Sequence, residues 1–153
     1  MMTQNEEKIA IDSNIIISIL KKDEHFNKVK EVILLIKKLK INVIMSYISY
    51  AEIWFGVLSS KSPKEEELKV NKSLYELFEV DITDFNITIA RTAAAAFLKY
   101  KKLKGKRETL IPDFLIGAHA KYYANRILTT NPRDFLKYIP ELKVLTPDDL
   151  LNT

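Results

Sequence analysis

The feature that most constrains this chain is a recurrent one. Short, almost uninterrupted aliphatic runs, KIAID at 8–12, INVIMS at 41–46, FEVDI at 78–82, RILTT at 126–130 and KVLT at 143–146, are separated by longer stretches with helical periodicity. A strand with one face in water alternates apolar and polar residues. Runs of Ile, Val and Leu that do not alternate suit strands covered on both faces, as in a parallel sheet. Between them, Val29, Val32, Ile33, Ile36 and Leu39 mark one helical stripe, Ile53, Val57 and Leu58 a second, and Leu68, Leu74 and Leu77 a third. A long helix is predicted from about Asp84 to Leu103, with Thr92 to Ala96 permitting close approach of a neighbour and Gly105 as its stop. Pro112 opens another helix through Ala124, and PEL at 140–142 leads into the last strand. Repeated β-then-α order predicts an α/β three-layer sandwich, a parallel sheet with helices on both faces.

No repeat, low-complexity tract or interdomain linker interrupts this order. The polar gap SSKSPKEEE at 59–67 reads as a helix connection, with Pro63 near a new N-terminus. Residues 1–153 are therefore expected to form a single domain, and a hydrophobic content of 47% is enough for one core.

Composition then removes whole classes of chemistry. The chain has no cysteine, which excludes disulfides, thiolate metal sites and a cysteine nucleophile. Its two histidines, His25 and His119, form no ligand pair and are read as structural, so any metal must be held by oxygen. The N-terminal MMTQNEEKIAID has no apolar signal core, and nothing approaches the ~18 apolar residues of a membrane span. A soluble, cytoplasmic protein is expected. The net charge of +4 is mild, but FLKYKKLKGKR at 97–107 gathers positive charge in one place. That stretch is either a phosphate-tracking surface or the solvated face of a helix.

In open parallel sheets, ligands collect at the carboxyl ends of the strands, where helix N-termini converge. Acids in such places are candidates. Asp12 ends the first run in IDSN, Asp113 opens a helix in IPDFLIG, and Asp134 follows the fourth run in TTNPRDF. Each also has a structural explanation. Asp12 can cap the helix that follows, and Asp113 can meet a helix dipole. Asp134 can lie in the first turn of a helix capped by Asn131 and begun by Pro132. Glu52 is harder to explain, because SYISYAEIWFGV surrounds it with apolar and aromatic residues. A carboxylate there needs either a narrow solvent face or a positive partner. Four carboxylates on one rim would repel one another unless bridged, and a hard divalent cation, Mg2+ or Mn2+, is the economical bridge. Such a centre suits phosphodiester hydrolysis.

The segments IDSNIII at 11–17, SYISYAEIWFGV at 46–57, IPDFLIGAHA at 111–120 and LTTNPRDF at 128–135 together resemble PIN-domain nucleases, in particular the toxin subunits of VapBC toxin–antitoxin pairs. The resemblance spans essentially the whole chain. It implies a parallel sheet of about five strands, an acidic pocket binding Mg2+ or Mn2+, and endoribonuclease activity on RNA. By that likeness Asp12, Glu52 and Asp113 match the acidic triad and Asp134 a more variable fourth acid. Ser13, Asn14, Thr130 and Asn131 match polar positions that support the pocket or touch phosphate. It also implies a homodimer and a cognate antitoxin that wraps the toxin and blocks the pocket. The aromatic residues Tyr47, Tyr50, Trp54 and Phe55 would serve such contacts or, as an aromatic stripe at helical spacing, the core. Other classes compete: a non-catalytic RNA-binding or scaffold protein of this fold, a structure-specific DNA nuclease, and a phosphatase with Asp12 as nucleophile. The last lacks a second Asp at position 14 and a phosphate loop, which three glycines could not build.

Overall fold

Each aliphatic run contributes a strand to one sheet: β1 Lys8–Ile11, β2 Asn42–Ser46, β3 Asp81–Thr83, β4 Arg126–Leu128 and β5 Lys143–Leu145. The structure is a computed structural model that describes residues 7–103, 111–132, 136 and 138–153. The sheet has five strands in the order β3-β2-β1-β4-β5, and every pair is parallel. Chain order therefore reverses beside β1, where the first three strands run to one side and the last two to the other.

Helices cover both faces: α1 Ser13–Lys21, α2 Phe26–Leu39, α3 Tyr47–Leu58, α4 Pro63–Asn71, α5 Ile87–Leu103, α6 Ile111–Tyr123 and α7 Pro147–Leu151. The end of α4 widens into a π-helical turn, Lys72–Leu77. The result is an α/β three-layer sandwich. One core joins α1 to α4 and α7 to one face, through Ile9, Ile11, Val43, Met45 and Leu128. The other joins α5 and α6 to the opposite face, through Ala10, Ile44 and Ile127. The two-residue alternation of each strand distributes its side chains between these cores. Ala93 and Ala96 of α5 are buried against the α6 side, the close approach that the small residues allow. No described helix is long and apolar enough to cross a membrane.

Boundaries differ from expectation where local chemistry overrides the apolar pattern. The third strand starts at Asp81 rather than Phe78, because Phe78 closes the π-helical turn through Ser73 and Glu79 turns the chain in a left-handed conformation (φ 51°). The long helix starts at Ile87 rather than Asp84, since the Asn86 side chain accepts from Ile89 N at 2.9 Å and sets the cap there. Gly105, its expected stop, lies outside the described residues. Leu39, Leu58 and Leu68, expected on buried stripes, are 51%, 66% and 71% exposed. A terminal helix absent from the expectations, α7, is fixed by a reciprocal capping box between Thr146 and Asp149.

Candidate active site

Asp12 follows directly on β1, beside the reversal in strand order. Its backbone N–H still bonds Leu128 O at 3.0 Å, so the β1–β4 ladder holds it rigidly. Ile9 and Ile11 face the α1–α4 layer, so alternation turns Asp12 toward the α5–α6 layer. The carboxylate is only 1% exposed. One oxygen accepts from Ser13 N at 2.9 Å, capping α1. The other accepts from Thr129 Oγ1 at 3.1 Å and lies 3.5 Å from Asn14 Nδ2. Asp12 is thus both the structural cap and a carboxylate fixed at the sheet rim, and the two roles do not compete.

Thr129 occupies the equivalent place after β4. It is fully buried, and its hydroxyl also accepts from Asn14 Nδ2 at 3.0 Å and from Asn131 N at 3.1 Å. The sequence points to the neighbours Thr130 and Asn131 rather than to Thr129. Thr130 and Asn131 contribute backbone N–H groups, Thr130 to Asn14 Oδ1 at 3.1 Å and Asn131 to Thr129. Asn14 therefore ties the β4 exit to the α1 entrance. The missed signal was register: Ile11 pairs with Leu128, which sets Thr129 opposite Asp12.

Glu52 arrives from α3. Ser13 Oγ donates to Glu52 Oε1 at 2.8 Å, bringing together carboxylate-bearing segments 39 residues apart in sequence. The apolar surroundings of Glu52 suggested a closely packed helix, yet Ala51, Glu52, Phe55 and Gly56 form an exposed face. Glu52 has the solvent face, and the Ser13 hydroxyl donates to it. The aromatic residues divide in the same way. Tyr50 stacks on Trp54 at 6.1 Å against the core, whereas Tyr47 and Phe55 are 49% and 72% exposed.

Asp113 lies in the first turn of α6, half-buried, on the layer toward which Asp12 is turned. The helix dipole there favours a carboxylate. Asp134 lies outside the described residues, as do residues 133 and 135, whereas Asn131 and Pro132 are described and are exposed and not helical. Among the described residues no three His, Asp or Glu side chains are close enough to hold an ion. The chemistry of the donor set nevertheless fits a hard divalent cation: carboxylate oxygens, hydroxyls and amides, without a thiol or an available imidazole. His119 is buried on α6, with Nε2 at 2.7 Å from Thr83 Oγ1, and burial lowers its pKa to about 4. It is a neutral structural group, as expected. Of the basic run, Lys99, Lys101 and Lys102 are exposed on α5, and residues 104–107 lie outside the described residues.

The profile of the PIN domain family matches residues 9–139. Among curated proteins there is no sequence match. Solved structures share the fold. A VapBC2 complex from Rickettsia felis, bound to a DNA fragment from its promoter, is 24% identical with a TM-score of 0.74, covering 91% of this chain and 98% of that one. DNA-bound VapBC from Salmonella typhimurium is 20% identical with a TM-score of 0.71, covering 92% and 98%. FitAcB from Neisseria gonorrhoeae is 22% identical with a TM-score of 0.65, covering 91% and 97%.

Proposed function

Because the chain belongs to the PIN-domain family, whose members are nucleases, we propose that it is a metal-dependent endoribonuclease and the toxin of a type II toxin–antitoxin pair. The observation that carries this reading is the double tether at the β1 exit. Asp12 is fixed by Thr129, and Glu52 by Ser13, so that two acids from separate parts of the chain share the rim where parallel sheets place ligands.

Asp12, Glu52 and Asp113 would hold Mg2+ or Mn2+, with Asp134 as a fourth ligand. When bound, such an ion supplies electrostatic stabilisation of the phosphoryl oxygens and makes water a stronger nucleophile. The chain's own residues orient and neutralise. The backbone N–H of Ser13 and the hydroxyl of Thr129 hold Asp12 in one rotamer, and Ser13 restrains the flexible Glu52. Exposed lysines on α5 would track the RNA backbone by neutralising phosphates. The toxin–antitoxin reading draws on the VapBC complexes whose fold this chain shares. It carries with it a homodimer, a cognate antitoxin and action on cytoplasmic RNA by residues 1–153 as one nuclease domain.

Cleavage of a structured RNA and of DNA of the same sequence, with Mn2+, Mg2+ or chelator, tests the proposal. RNA is expected to be cut only with metal. Asp12→Asn, Glu52→Gln and Asp113→Asn should each reduce cleavage by more than the ~10–100-fold typical of supporting residues. RNA binding without cleavage by any form would establish a non-catalytic scaffold, and preferential DNA cleavage a DNA nuclease.

A further inference from the structure

At the end of the sheet opposite the acidic rim, the starts of β1 and β4 and the last turn of α6 enclose a cleft of about 280 Å3. Glu7, Lys8, Tyr122, Tyr123, Asn125 and Arg126 line it. The parallel register sets Lys143, which opens β5, directly beside Arg126. Two cations side by side on paired strands repel each other. Glu7, 66% exposed, approaches Arg126 only to 3.5 Å, and among the described residues Lys8 and Lys143 have no carboxylate within ion-pair distance.

The groups around the cleft are held in place before any ligand arrives. Arg126 Nε donates to Lys8 O at 2.9 Å, and with the contact to Glu7 this uses two of its five N–H groups. Tyr123 is pinned through its hydroxyl, which donates to Asp84 O at 2.8 Å, and its ring lies 4.9 Å from that of His119. Tyr122 meets Tyr123 in a T-shaped contact at 4.9 Å and is itself 51% exposed. An exposed ring braced by a fixed neighbour loses little freedom when a planar group stacks on it. Asn125 follows α6 in a left-handed conformation (φ 60°) and is exposed, so its amide offers a donor and an acceptor to a base edge.

We propose that this cleft binds one nucleotide of a single-stranded RNA segment, with the base on Tyr122 and the phosphate on Arg126 and Lys8. The proposal rests on the preceding reading in taking that RNA to be the substrate. An aromatic ring accepts the face of any base, and clustered cations neutralise the backbone beside it. The place suits a strand that also occupies the rim: Arg126 stands about 10 Å along β4 from Thr129, and Tyr122 about 14 Å along α6 from Asp113. The cleft is smaller than the ~300 Å3 at which sites for drug-sized ligands begin, which suits one nucleotide unit and excludes a partner's helix. An acidic peptide would meet the cations but leave the Tyr122 ring without a planar partner.

The full chain and a fluorescein-labelled single-stranded RNA of about ten nucleotides test this in chelator, where binding is read without cleavage. Tyr122→Ala should weaken binding ~5–100-fold, and Tyr122→Phe should leave it close to wild type. Lys8→Gln removes one charge and keeps the carbonyl that Arg126 uses, so the slope of log affinity against log salt should flatten by ~0.7. Loosening of the fold would weaken binding without flattening that slope. Adenosine monophosphate and a polyglutamate peptide serve as competitors, and neither should displace the label at concentrations where unlabelled RNA does. Displacement by the nucleotide would make the ligand a free small molecule, and displacement by the peptide a protein segment; either overturns the proposal. Wild-type affinity in Tyr122→Ala, or an unchanged salt slope in Lys8→Gln, overturns it as well. A chain that never cleaves RNA can still pass these tests and one that cleaves can fail them, which separates this proposal from the nuclease reading.

Discussion

A threonine hydroxyl can donate one hydrogen bond and accept two, and Thr129 does all three, giving one to Asp12 and taking one each from Asn14 and Asn131. Replacing it with valine keeps the branched shape and removes every one of these bonds, so Asp12 loses a donor in a site with 1% exposure. Thr129→Val is expected to lower RNA cleavage ~10–100-fold, the cost usual for a residue that orients a metal ligand, while Thr129→Ser retains most activity. Unchanged cleavage by Thr129→Val would show that Asp12 is held well enough by Ser13 and Asn14. This residue also marks a limit of reading from sequence. In LTTNP the two threonines are chemically equivalent, and only the parallel register beside β1 decides which one meets Asp12. Glu52 marks another. Its isolation among apolar residues was legible, but its partner, Ser13, lies in a segment whose approach depends on tertiary packing.

At the scale of elements, two glycines in helices have opposite surroundings. Gly117 of α6 faces Leu136 and Ile139, and an added Cβ would press on side-chain methyls of both. Gly56 of α3 has nothing within 4 Å of that position. Gly56→Ala should therefore raise stability by about 0.5–1 kcal/mol through helix propensity alone. Gly117→Ala should lower it by about 1–3 kcal/mol through overpacking, with urea midpoints distinguishing the two. If both substitutions stabilise, Leu136 and Ile139 can move aside without cost.

His119 couples α6 to the end of β3. Burial is the main cause of its lowered pKa, with hydrogen bonding to the Thr83 backbone a smaller opposing effect. The unfolded chain binds its proton near 6.5 and the folded chain only near 4, so between these values the unfolded state carries more protons. This contribution to stability is complete above pH ~6.5 and is lost as pH falls toward ~4, by on the order of 3 kcal/mol. Comparing the pH dependence of the urea midpoint in wild type and His119→Gln isolates it from ordinary carboxylate titration. Equal slopes would show that water reaches the imidazole. The same helix illustrates what was legible among elements: Pro112 and the apolar run after it announced α6, whereas its tie to Thr83 is a contact across 36 residues.

For the molecule as a whole, strand identity and layer class were legible because buried parallel strands are nearly all aliphatic, and that signal survives without knowledge of neighbours. Strand order was not, since nothing in KIAID or RILTT states that these two runs pair. That pairing creates the reversal beside Asp12, at the rim where Ser13 meets Glu52 of α3. If Asp12, Glu52 and Asp113 hold a cation as proposed, their mutual repulsion weakens the fold until that cation offsets it. Stability should therefore depend on Mn2+ in a way that a surface-charge effect would not reproduce. At Mn2+ about 100-fold above its dissociation constant, binding to the folded state contributes ~2.7 kcal/mol, which for a domain of this size raises Tm by roughly 5–10 °C. Ca2+ should give a smaller rise, because an ion preferring more ligands at longer distances fits a few converging carboxylates less well. Asp12→Asn should abolish most of the Mn2+ response, yet melt close to wild type without metal, since the amide oxygen can still cap α1 while the amide nitrogen donates to Thr129 Oγ1, whose proton can turn to Asn14 Oδ1 at 3.4 Å. A full Mn2+ response in Asp12→Asn would place the ion away from the β1 exit, and with it the chemistry.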